Sequence, residues 1–119
     1  MGARILIVDD EYGLADIIAE ILIEHGYSAD VAINGALGLE AVAQRRPDLA
    51  LIDNMMPIMD GLTMAEKMRA DPQLVSIPLV VMTAVPEALP ANPRPFDALL
   101  RKPFSPDELL AVIQRLLPR

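Results

Sequence analysis

Five short runs of small and branched apolar residues recur along the chain, at Ile5 to Val8, Ala29 to Ala32, Leu49 to Ile52, Leu79 to Met82 and Ala98 to Leu100. Most are apolar at successive positions rather than alternate ones. Strands of that kind are covered on both faces, the environment of a parallel sheet. Between the runs, apolar residues return at helical spacing. Leu14, Ile17, Ile18, Ile21 and Leu22 make one face of a helix that should end at Gly26. Leu37, Leu39, Ala41 and Val42 lie on or near the apolar side of a second, from about Gly35 to Arg46, which Pro47 stops. A third runs from about Leu62 to Ala70, ahead of Asp71-Pro72. The last opens on Ser105-Pro106-Asp107-Glu108, a capping serine followed by proline at the first helical position, and carries Leu109, Leu110, Ile113 and Leu117. Strand and helix alternate, which predicts a doubly wound α/β fold with a five-stranded parallel sheet and right-handed crossovers.

The alternation falters once. From Val85 to Phe96, Pro86, Pro90, Pro93 and Pro95 take four of twelve positions, so the fourth helix of the pattern is shortened or disrupted, with at most one turn at Glu87 to Leu89. A chain of 119 residues fits one domain, taken here as 1–119, and 53% hydrophobic residues are too many for a disordered chain. With no cysteine there is neither a disulfide framework nor a thiolate metal site, and a cytoplasmic location is the expectation. A net charge of −7 offers no basic stripe for nucleic acid, so no direct nucleic-acid partner is expected. No apolar run approaches the ~18 residues needed to span a bilayer, so a membrane partner is not expected either. Proteins are the expected partners.

In open parallel sheets, ligands bind where the strands end, so the polar residues that follow each run are the ones that matter. After the first run come Asp9, Asp10 and Glu11; after the third, Asp53; after the fourth, Thr83; after the fifth, Lys102. Singly, each reads as a cap, a strand end or a solvated charge. Together they would place three aspartates, a hydroxyl and an ammonium on one rim. Carboxylates that close repel unless a cation intervenes, and a hard divalent ion such as Mg2+ suits Asp10 and Asp53, with Asp9 acting through water. Such an ion and Lys102 would neutralise charge on a transferring phosphoryl group, with Asp53 the best-placed nucleophile.

These residues resemble the receiver domain of bacterial two-component response regulators. Ile5-Leu6-Ile7-Val8-Asp9-Asp10-Glu11 resembles that family's first strand and acidic pair. Asp48 to Gly61 is similar to its phosphorylation segment, Val80 to Ala84 to the strand that ends in a switch hydroxyl, and Arg101-Lys102-Pro103-Phe104 to its lysine followed by a cis proline. The resemblance implies a flavodoxin-like strand order of 2-1-3-4-5 with helices on both faces. It also implies that Asp53 takes a phosphoryl group from a phosphohistidine of a sensor kinase or phosphotransfer protein. In the same way it implies that Asp10, Asp53 and the backbone carbonyl of Met55 ligate Mg2+ with help from Asp9, while Thr83 and Lys102 hold the phosphoryl oxygens. A downstream protein target or a fused output domain would read the result, and because the chain ends soon after its last helix, a stand-alone regulator or a receiver excised from a larger protein is expected.

Two departures from the family pattern stand out. Leu99 replaces the usual aromatic residue three positions before the lysine, and the proline-rich segment replaces part of the surface through which receivers usually pair, which argues against the usual receiver dimer. Two other function classes fit part of the pattern. One is a magnesium-dependent aspartyl-phosphate phosphatase or phosphotransferase, but Met55 stands where such enzymes place a second acid. The other is a receiver-like scaffold that takes no phosphate, and the intact Asp53, Thr83 and Lys102 speak against it.

Overall fold

A computed structural model describes residues 2–91 and 94–117. The elements follow in the order β1 (Arg4–Val8), α1 (Tyr12–Glu24), β2 (Ser28–Ala32), α2 (Gly35–Gln44), β3 (Leu49–Asp53), α3 (Gly61–Ala70), β4 (Leu79–Thr83), a single 3-10 turn (Pro86–Ala88), β5 (Ala98–Arg101) and α4 (Pro106–Leu116). All strand pairs are parallel, and the sheet order is β2-β1-β3-β4-β5. The doubly wound sheet read from the alternation, with the flavodoxin-like strand order that the resemblance implies, is therefore the fold.

The successive apolar positions of the strands are divided between two cores. Ile5, Ile7, Leu49, Leu51, Val80, Met82 and Leu100 point to one face and pack under α1 and α4. Their neighbours Leu6, Val8, Ala50, Ile52, Leu79 and Val81 point to the other and pack under α2 and α3. Each core strand so buries both of its faces, since side chains alternate along a strand. Helix starts are fixed by side chains that satisfy otherwise orphaned amides. Asn34 accepts from the Leu37 amide and Asp60 from the Thr63 amide, both at 2.8 Å. Ser105 and Glu108 close a reciprocal capping box at α4. At the end of α1, Gly26 takes φ +90, and His25 Nδ1 lies 2.9 Å from the Ile21 carbonyl in the last turn. A carbonyl only accepts, so that ring nitrogen carries the proton.

Two apolar positions assigned to helix faces in the sequence behave differently. Ile17 of α1 and Leu37 of α2 are exposed. Both helices lie over the β2 side of the sheet, and there the sheet is too narrow to cover the full width of their apolar stripes. The second helix also stops at Gln44, short of Arg46. The proline-rich stretch forms only the 3-10 turn, and the work of a helix is done by two side chains: Leu89 and Phe96, both buried, plug the core beneath β4. Pro93 lies outside the described residues.

Candidate functional site

All five strands run the same way, so their C-terminal ends form one rim. Val8 ends β1 and Asp9-Asp10 leave it; Asp53 is the last residue of β3, Thr83 the last of β4, and Lys102 follows β5 directly. Cross-strand bonds hold these ends in register: the Asn54 amide donates to the Met82 carbonyl at 3.0 Å and the Lys102 amide to the Thr83 carbonyl at 2.8 Å. Asp9 and Asp53 are buried and Asp10 is exposed at the mouth. One carboxylate oxygen from each of the three lies within 4.8 Å of the others.

Lys102 reaches into this cluster from the far side of the sheet. Its Nζ donates to Asp53 Oδ1 at 2.8 Å and to Asp9 Oδ2 at 3.1 Å, and Glu11 Oε1 lies 3.8 Å away. The other oxygen of Asp9 accepts from the Glu11 amide at 2.9 Å. Asp9 thus anchors the lysine and the start of α1, and the second oxygen of Asp53 has no hydrogen-bond partner among the described residues. Thr83 is buried, and its Oγ1 accepts from the Val85 amide at 3.1 Å. The Lys102–Pro103 bond is cis. The rim therefore unites Asp9, Asp10, Asp53, Thr83 and Lys102, five of the six side chains collected from the sequence, with the sixth, Glu11, at its exposed margin.

Burial raises the Asp53 carboxyl above its ordinary 3.8. The hydrogen bond from Lys102 opposes that rise, and the charges of Asp9 and Asp10 add to it. For Lys102, burial lowers its affinity for the proton, but hydrogen bonds and attraction from Asp53 and Asp9 outweigh this and the net shift is upward. A carboxyl whose folded pKa exceeds its unfolded value binds protons more tightly when folded. Stability from this group is therefore full below pH 3.8 and falls as pH rises through the raised value. In chelator, the melting-temperature advantage of Asp53→Asn over the parent should widen as pH rises from 3.8 through the raised value. An advantage that stays constant or shrinks as pH rises above 3.8 contradicts this.

Three carboxylates converge on one ammonium, so negative charge is in excess, and every side-chain donor in the cluster is a hard oxygen. That donor set fits a divalent cation such as Mg2+, which takes one or two carboxylates and keeps several waters. The side chain of Met55 points out to solvent. One local feature had no signal in the sequence. Ile58, in the loop between β3 and α3, takes φ +70 at the centre of a three-residue turn closed by the Met59 amide on the Pro57 carbonyl at 2.7 Å. Such turns are strained for a β-branched residue, and glycine or asparagine would have announced it.

The same fold recurs in known proteins. The family model for the response regulator receiver domain matches residues 5–114. The chain is 34% identical over 119 residues to the DNA-binding dual master transcriptional regulator RpaA of Synechocystis, covering 98% of this chain and 49% of that protein. It is 36% identical over 122 residues to the response regulator MprA of Mycobacterium bovis, covering 100% of this chain and 52% of that protein. Sporulation initiation phosphotransferase F of Bacillus subtilis is 35% identical over 121 residues, 99% of this chain and 96% of that protein. The chain thus spans about half the length of RpaA and MprA and nearly all of the Bacillus protein. Among solved structures, the chemotaxis response regulator CheY4 of Vibrio cholerae superposes with a TM-score of 0.88 at 28% identity, covering 98% of this chain and 100% of that one. A signal receiver domain of a histidine kinase from Syntrophus aciditrophicus gives 0.86 at 30%, covering 98% and 90%.

Proposed function

Because the chain belongs to the response regulator receiver family, a family of signalling domains rather than turnover enzymes, we propose that Asp53 is its phosphoacceptor. The supporting observation is the placement of Asp53 at the end of β3, 2.8 Å from Lys102 and within 4.8 Å of the Asp9 and Asp10 carboxylates. The free oxygen of Asp53 attacks the phosphorus of a phosphohistidine presented by a sensor kinase or phosphotransfer protein. An oxygen–phosphorus bond forms, the nitrogen–phosphorus bond breaks, and the imidazole leaves with the electron pair and takes a proton from solvent. Asp9, Asp10, Asp53 and the Met55 carbonyl would hold Mg2+, which when bound offsets negative charge between acceptor and donor.

Lys102 is held where a phosphoryl group on Asp53 would gain a charge-assisted hydrogen bond. Thr83 donates its hydroxyl proton to a phosphoryl oxygen while its own oxygen already accepts from Val85, which couples the modified aspartate to the start of the proline-rich segment. A downstream protein or a fused output domain reads that change. A cytoplasmic site of action belongs to the same proposal; no helix among the described residues is long and apolar enough to cross a membrane.

Incubation with a small phosphodonor such as acetyl phosphate and Mg2+, followed by peptide mass mapping, tests the proposal. One phosphoryl group is expected on Asp53, absent with chelator and absent from Asp53→Asn. Label at another residue overturns the assignment. Steady hydrolysis of a phosphoester returns the chain to the phosphatase class, and no label from any donor to the scaffold class.

A further inference from the structure

The sheet has two edges, and they are guarded differently. At one, β5 ends in the exposed Arg101, with Pro95 before the strand and Pro103 after it. Charge and proline are the usual devices that keep an edge strand from pairing with another chain. At the other, among the described residues, β2 pairs only with β1. The Ser28 amide donates to the Ala3 carbonyl and the Ala32 carbonyl accepts from the Asp9 amide, so residues 28, 30 and 32 direct their backbone groups inward. Alternation then turns Ala29, Val31 and Ile33 outward. Among the described residues, none of their amides or carbonyls has a hydrogen-bond partner.

No proline or lysine interrupts Ser28 to Ile33, and the single charge, Asp30, has Arg45 beside it at 3.8 Å in a solvent-exposed ion pair. Two adjoining depressions of about 400 and 380 Å3 share Ala41 and Gln44 and follow this edge. Tyr12 (68% exposed), Val31 (40%), Ile33 and Leu37 present apolar surface there.

We propose that this edge pairs with the same edge of a second copy of the chain, β2 running antiparallel to its counterpart about a two-fold axis at Val31. The pattern is self-complementary. Val31 faces the partner's Val31, Ala29 faces the partner's Ile33, and Asp30 faces the partner's Ala32, so no charge meets a like charge directly. The two Asp30 carboxylates sit diagonally across the axis, each bringing its own Arg45, and Glu40 adds one negative charge per copy at the rim of the depression. All three outward residues exchange their unpaired backbone bonds, and two five-stranded sheets become one continuous sheet. At long range the net charge of −7 opposes the encounter, so added salt strengthens this dimer by screening.

The absence of native cysteine makes the test clean. Val31→Cys should cross-link under mild oxidation roughly tenfold or more faster than Ile23→Cys, a more exposed position on α1, because the partner thiol is held at high effective concentration. By sedimentation, the unmodified chain should pass from monomer to dimer with concentration and more readily at high salt, with Val31→Lys a folded monomer throughout. Amide exchange at Ala29, Val31 and Ile33 should slow as the dimer forms. A chain that stays monomeric at every concentration overturns the proposal and leaves the edge to a strand from a different protein. A dimer indifferent to Val31→Lys, or equal cross-linking at positions 23 and 31, overturns it by placing the contact on another face.

Discussion

Lys102→Met should cost the metal-free protein on the order of 3 kcal/mol of stability at neutral pH, the scale for removing one partner of a buried ion pair. Methionine keeps the aliphatic stem and removes only the charge. The loss is large because of what is left behind: the Asp9 side chain is fully buried, that of Asp53 is 9% exposed, and both depend on the ammonium of a lysine side chain that is itself only 16% exposed. Without it, two carboxylates face each other with no cation and must either protonate or drag in water. Acid should therefore rescue the variant. Adding Asp53→Asn should recover part of the loss, because the second substitution removes one of the repelling charges, and such coupling between neighbours is what a double-mutant cycle reads. Denaturant unfolding of the four proteins in chelator measures all of this. A loss below about 0.5 kcal/mol, the size of an exposed pair, would mean that Lys102 is solvated rather than holding the cluster.

That electrostatic arrangement was largely visible in the sequence, and the reason is topological. In a parallel doubly wound sheet every strand ends on the same rim, so the residue after each apolar run is placed by connectivity alone. Asp53, Thr83 and Lys102 needed no knowledge of side-chain packing to be collected. The division of labour between Asp9 and Asp10 was different. Successive residues point opposite ways, and only the path of the chain into α1 decides that Asp9 turns inward to Lys102 and the Glu11 amide and Asp10 outward to the mouth.

Helical spacing could not reveal that Ile17 and Leu37 stay exposed, because periodicity marks the centre of an apolar stripe and the width actually covered depends on where the sheet stops. The prolines after Val85 ruled out a regular helix but did not say what fills the space instead. Leu89 and Phe96 do so through a contact made across the core, which local patterns do not encode. The same holds for Arg69, whose guanidinium bonds the Val75 and Ile77 carbonyls and the Asp97 carboxylate and ties α3 to the start of β4. In the sequence it is one more arginine near a helix end.

Gly61→Ala should be among the most damaging single-methyl additions the chain can receive, and it should damage site and fold together. Gly61 opens α3 after the Asp60 cap, and its amide donates to the Asn54 carbonyl at 3.0 Å. A β-carbon there would overlap the Asp53 carbonyl oxygen and stand 2.9 Å from Ile52 Cγ2 and 3.0 Å from Asn54 Cα. Two of those three atoms belong to the backbone of the strand end that carries Asp53, so no rotamer change makes room. Either α3 or the end of β3 has to move. Overpacking of this kind costs about 1–3 kcal/mol, and alanine's better helix propensity, worth up to about 1 kcal/mol, offsets only part of it. A displacement near 1 Å at Asp53, the proposed nucleophile, is enough to slow transfer by about a hundredfold. Labelling of Asp53 by acetyl phosphate should therefore fall far more than the folded fraction does. Gly13→Ala supplies the control, since nothing lies within 4 Å of the β-carbon it would add in the first turn of α1. It should leave labelling unchanged and stability equal or slightly higher. If Gly61→Ala behaves like Gly13→Ala in both measurements, the close seating of α3 on the strand end does not govern where Asp53 sits.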